Sequence, residues 1–193
     1  MKLATVIPNP IDINYLRKFG NNIKDTRDKN FYSLDINIFN KTSIDQSKGL
    51  HESMPMLTRP QHYWDVSTPE ELWNFVNSLS IPIKQKHKGY SLQRYDRPCA
   101  IYEYWETGSA HVDSADISSG SVIIPLYGTT RTEFFIENKP VESIEYGPGQ
   151  IGIFNTDVFH KVNLLDEYRL MIQIFIEPNI DWSNVIRPIY RLV

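Results

Sequence analysis

The chain has 193 residues, enough for one domain with a substantial core. Its net charge is −3 with 22% charged residues, so bulk charge indicates neither nucleic acid nor an anionic membrane as a partner. One cysteine, Cys99, excludes an intrachain disulfide framework, the first eight residues hold too short an apolar run for a signal peptide, and no window nears the ~18 apolar residues of a membrane span. These features predict a cytoplasmic protein.

In chain order, Leu3–Ile7 reads as a strand stopped by Pro8 and Pro10, and Ile11–Phe19 as a short helix ended by Gly20. Residues 21–30 read as a loop, 31–39 as a strand, and the proline-punctuated 41–61 as a loop or flap. Ser67–Leu79 carries the strongest helix pattern. Ser67 with Glu70 fits a capping box, and Leu72, Phe75, Val76 and Leu79 form one apolar stripe. From Tyr90 onward the texture changes. Short β segments are expected at 91–95, 99–106, 121–126, 132–137, 141–145, 150–154, 159–164 and 168–176, separated by glycine, proline or polar clusters. Eight such strands match a jelly roll. The predicted fold is mainly β: a double-stranded β-helix core over 86–178, supported by residues 1–85 with the helix 67–79, and extended by 179–193.

The chemistry concentrates in the β-rich half. His111 and Asp113 are two apart, so in extended backbone both side chains point the same way. Far along the chain, His160 opens a strand. Two imidazoles and one carboxylate with open positions on one side form the ligand set of a non-haem Fe(II) site. After Leu164-Leu165-Asp166-Glu167, Arg169 is expected to return antiparallel beside His160 as a hairpin and to share its face with Val162, Leu164, Met171, Gln173 and Phe175. Leu170, Ile172, Ile174 and Ile176 then face the helix. An arginine in that apolar interior needs an anion. A bound carboxylate supplies one; a buried ion pair with Glu103, Glu145 or Asp157 is the structural alternative.

With His111-x-Asp113, His160 and Arg169 in this order, the stretch from Tyr90 to Pro178 resembles the Fe(II)/2-oxoglutarate-dependent dioxygenase superfamily. The resemblance implies that His111, Asp113 and His160 hold Fe(II), that Arg169 grips the distal carboxylate of 2-oxoglutarate, and that Tyr102, nine residues before His111, assists the co-substrate. It implies a hydroxylase that uses O2 and releases succinate and CO2. Asp113 argues against a halogenase, where the family has a small residue. This chain departs from the family pattern in three places. Thr129-Thr130-Arg131 replaces a Gly-Gly pair, Met171 replaces a serine after the basic residue, and residues 1–82 match no known pattern. Met171 shifts the second carboxylate anchor toward a tyrosine hydroxyl. Tyr104, Trp105 and Ser114 border the ligand pair and are candidate substrate contacts, the substrate being a small molecule or a peptide. Two competing readings are a cupin-like metalloprotein without 2-oxoglutarate and a non-catalytic jelly roll that binds a sugar or peptide. The cupin reading gives Arg169 no required role.

Overall fold

The computed structural model describes residues 2–26, 32–33, 62–85, 95–107, 110–113, 118–178, 180–183 and 185. Two antiparallel sheets face one another. The large one runs β1 (Ala4–Pro8), β8 (Gln150–Asn155), β5 (Gly120–Tyr127), β10 (Arg169–Ile176), β4 (Pro98–Tyr104), β3 (His62–Ser67) and β2 (Tyr32–Ser33). The small one runs β7 (Lys139–Tyr146), β6 (Thr130–Ile136) and β9 (Phe159–Leu164). Beyond β9 the segment at His111 adds a further antiparallel bridge to His160. This is the mainly β jelly-roll core expected from the strand pattern. None of the helices among the described residues is long and apolar enough to cross a membrane.

Every residue of β10 is buried, because this strand lies between β5 and β4 and both its faces are covered. Leu170, Ile172, Ile174 and Ile176 pack outward with Ile101, Val122 and Ile124 against α1 (Ile13–Thr26) and α2 (Glu70–Ser78), which contribute Leu16, Leu72, Trp73 and Val76. Each such side chain stabilises the fold by roughly 1.5–3 kcal/mol relative to exposure. Alternate residues turn inward, where Met171 joins Ile123, Phe134, Tyr146 and Phe154 between the sheets.

Four expectations change. Gly20 does not end α1, which continues to Thr26. Gly20 is buried in that helix, and a Cβ there would strike Leu126 Cδ1, so this glycine allows close helix-to-sheet packing. Ser67 ends β3 instead of capping α2, whose N-cap is Pro69 with no side-chain cap bond. The strand His62–Ser67 was not anticipated. Finally, β9 and β10 do not form a hairpin. β9 pairs with β6, whereas β10 pairs with β4 and β5, so the short turn between them crosses from one sheet to the other. Of the strand expected at 31–39, only Tyr32–Ser33 is described. The loop 41–61 and most of the strand expected at 91–95 lie outside the described residues. In the C-terminal extension, Trp182 packs into the core, and its indole N–H donates to the Leu3 carbonyl at 3.1 Å.

Candidate metal centre

After β4 the chain leaves the large sheet and crosses to the small one. Thr107 Oγ1 pins this crossing to β9 by accepting the Leu164 N–H at 2.9 Å. His111 and His160 then exchange both backbone hydrogen bonds, each at 2.9 Å. Residues paired in this way present their side chains on one face, and the two imidazole centroids stand 4.7 Å apart. Two residues on, the Asp113 N–H donates to the Thr156 carbonyl at 3.1 Å, which fixes its direction. Asp113 Oδ1 lies 3.3 Å from His111 Nε2 and 3.9 Å from His160 Nε2.

The three ligand atoms lie within 4.8 Å of one another. An ion with ordinary bonds of about 2.1 Å spans such a gap after small side-chain adjustments. The tautomer of His160 suits this. Its Nδ1 lies 3.0 Å from the Val158 carbonyl, which can only accept, so Nδ1 carries the hydrogen and Nε2 keeps its lone pair toward Asp113. Phe134 and Phe154 pack on the ring, with centroids at 6.4 and 5.9 Å. Burial, together with the His111 charge, drives His160 down to about 4, so the imidazole is neutral near pH 7. Burial pushes the Asp113 carboxyl up, but the His111 hydrogen bond and the electrostatic pull of the two imidazoles outweigh it and hold the group below the usual carboxylate range. The His160 side chain is 4% exposed, against 24% and 28% for His111 and Asp113, so the cluster is closed behind His160 and open on the other side. Two imidazole nitrogens with one carboxylate fit a divalent transition metal.

Arg169 lies on the inner face of the large sheet, 3% exposed. Its guanidinium stacks over the Tyr104 ring at 4.8 Å, one nitrogen contacts Met171 Sδ, and Nε has no hydrogen-bond partner. No carboxylate among the described residues pairs with it. Glu103, on the opposite face, binds Lys24, His62 and Tyr168 at 3.1, 3.1 and 2.9 Å, and Glu145 pairs with Arg131. Asp157 forms no ion pair with Arg169 either. Tyr102 stacks between Tyr63 and Tyr104, at 5.4 and 5.7 Å. Burial raises both the Tyr102 and the Tyr104 hydroxyl. The Arg169 charge draws Tyr104 partly back, and Asp113 pushes it up further, so Tyr104 lies within electrostatic reach of both charges.

Trp105 points the other way. Its ring meets His62 edge-on at 5.3 Å and Tyr168 at 6.0 Å, beside the Glu103 network and away from the histidine pair. In a strand one step reverses the face, so Tyr104 and Trp105 could not both reach the site from β4. Ser114 lies outside the described residues. The Val158 carbonyl, Phe134 and Phe154, which set the His160 ring, were not foreseen, since a backbone acceptor and two core phenylalanines leave no distinctive mark in a sequence.

Two facing antiparallel sheets with this connectivity make the jelly-roll fold common to Fe(II)/2-oxoglutarate-type oxygenases and cupin-like proteins. Among solved structures, a Pseudomonas putida prolyl-4-hydroxylase is similar with a TM-score of 0.55 at 12% identity, over 91% of this chain and 92% of that one. OsALKBH1 follows with a TM-score of 0.51 at 12% identity, over 91% and 98%. AviO1 from Streptomyces viridochromogenes Tue57 gives 0.50 at 11%, over 93% and 91%. At these identities the likeness is one of fold. No protein-family model and no curated protein matches the chain.

Proposed function

We propose that the protein is an Fe(II)- and 2-oxoglutarate-dependent oxygenase that hydroxylates a small-molecule or peptide substrate with release of succinate and CO2. One observation carries this reading beyond a generic metal-binding barrel: Arg169 is a buried cation with no carboxylate partner among the described residues, on the face turned toward the triad. Such a charge costs several kcal/mol unless an anion meets it. A two-pronged contact to a carboxylate answers that need.

In this reading His111, Asp113 and His160 hold Fe(II), which supplies the activation of O2 coupled to oxidative decarboxylation of the oxo acid. Val158 keeps His160 in the ligating tautomer through its carbonyl. Asp113 contributes the negative charge that makes the imidazole pair a good site for a dication. Arg169 binds the far carboxylate, with its plane held on the Tyr104 ring. Tyr102 and Tyr104 keep their protons and so offer hydroxyl donors in place of the serine that Met171 replaces. Phe134, Phe154 and Ile123 exclude water behind the cluster.

The test is optical. Anaerobic protein given Fe(II) and 2-oxoglutarate develops a visible metal-to-ligand charge-transfer band. Folded, iron-loaded protein that stays colourless with 2-oxoglutarate overturns the proposal.

A further inference from the structure

Gln173 occupies the inner face of β10, two residues beyond Met171 and opposite Ala100 and Ile123. Ile123 packs with Phe134 and Phe154, whose rings both touch His160. Gln173 therefore faces the same space as the metal cluster. It stands four residues along the strand from Arg169, about 13 Å, so a group beside it does not compete with one bound at the guanidinium.

A glutamine in this place is unusual. The side chain is 9% exposed, and its Nε2 donates to Ser121 Oγ at 2.7 Å. Ser121 is itself fully buried and pairs with Phe154 and Phe175 across the sheet. The Ser121 bond sets the plane of the carboxamide. The carbonyl oxygen and second N–H form no hydrogen bond with any described residue. Its neighbour Ala100 has only a methyl group, and the Tyr63–Tyr102 stack stands next to it as a flat wall.

We propose that Gln173, oriented by Ser121, reads an amide group of the substrate. The Gln173 carbonyl accepts the N–H of one residue of an extended peptide-like segment, and its second N–H donates to the carbonyl of that same residue, which points the same way. This rests on the oxygenase reading and names its substrate class: a molecule with a peptide-like amide near the carbon to be hydroxylated. An isolated amine or carboxylate matches only half of the pair.

The experiment uses the full chain with Mn(II) and 2-oxoglutarate in the absence of oxygen, and calorimetry against the N-acetyl N-methylamides of the twenty amino acids, the matching 2-acetoxy acid N-methylamides, in which an ester oxygen replaces the residue's N–H, and nucleosides. At least one amide binds, and its ester, which lacks the N–H, binds about tenfold more weakly. In Gln173→Leu the amide and ester bind within twofold of each other. Gln173→Glu, which keeps the size of the side chain but not its N–H donors, also loses amide affinity, with a melting temperature close to wild type. Equal affinity for amide and ester in the wild type, an unchanged ratio in Gln173→Leu, or binding of nucleosides without amides overturns the proposal. The two readings fail separately. An absent charge-transfer band with amide selectivity intact refutes the oxygenase, and a normal band without amide selectivity refutes the role of Gln173.

Discussion

Replacing Arg169 with methionine should move stability and co-substrate affinity in opposite directions. The guanidinium is 3% exposed, Nε has no partner, and the compensation in view is the Tyr104 ring at 4.8 Å. An unpaired buried charge costs several kcal/mol, and a desolvated cation–π contact returns about 2 kcal/mol. Methionine keeps the length and apolar stem but removes the charge. The ligand-free variant is therefore expected to be more stable than wild type by about 1–3 kcal/mol, which for a chain of this size raises Tm by roughly 3–9 °C. The same change deletes the two-pronged contact, a loss of about 2–5 kcal/mol in binding, so 2-oxoglutarate affinity falls by about 30-fold or more. Thermal melts of metal-loaded protein with and without 2-oxoglutarate read both effects. At 100 times its Kd the ligand adds about 2.7 kcal/mol to wild type and less than about 1 kcal/mol to the variant. A variant that melts below wild type without ligand, or that 2-oxoglutarate still stabilises to the same degree, refutes the assignment of Arg169.

Other outcomes can be checked alongside. Asp113→Ala removes the one carboxylate of the cluster, and Fe(II) content after anaerobic loading and desalting is expected to fall to background while the melt stays cooperative. His160 has its folded value lowered to about 4 from an ordinary 6.5, by burial and by the His111 charge, so between these values the unfolded chain binds a proton that the folded one refuses. The metal-free protein is thus expected to lose up to about 3 kcal/mol as pH falls from 6.5 to 4, and His160→Gln to flatten that slope in urea titrations. The Cys99 thiol is fully buried and pushed up to about 12, so a thiol reagent at pH 8 should label it only at the rate of unfolding.

Much of the fold could be read from short apolar and alternating segments separated by turn residues. β6 alternates at the strand period, β4, β5 and β8 are short apolar runs set off by glycine, proline or polar residues, and the limits of these strands and of β9 fall within a few residues of those expected. His111 and Asp113 stood out because a two-residue step puts both on one side. Three features were not legible. Gly20 looks like a helix stop, and only the approach of Leu126 shows that it is a packing glycine. The segment His62–Ser67 has Asp65 among its aromatic residues and follows a polar stretch, so no alternation marks it. The turn 165–168 has the length of a hairpin, and nothing local says that its flanking strands join different sheets; the pairing of β9 with β6 is decided by residues some thirty positions away. His111 and His160 sit together on the small sheet, because Thr107 and the bridge to β9 draw the chain across.

That split between layers has a consequence for ligand choice. The histidines belong to one sheet and Arg169 to the other, and packed sheets stand about 10 Å apart. A dicarboxylate gripped at both ends acts as the gauge block of a caliper whose jaws are the two walls. Homologues one methylene shorter or longer should then be rejected on length, whatever their charge, and mutations that slide the walls should change which chain length is preferred.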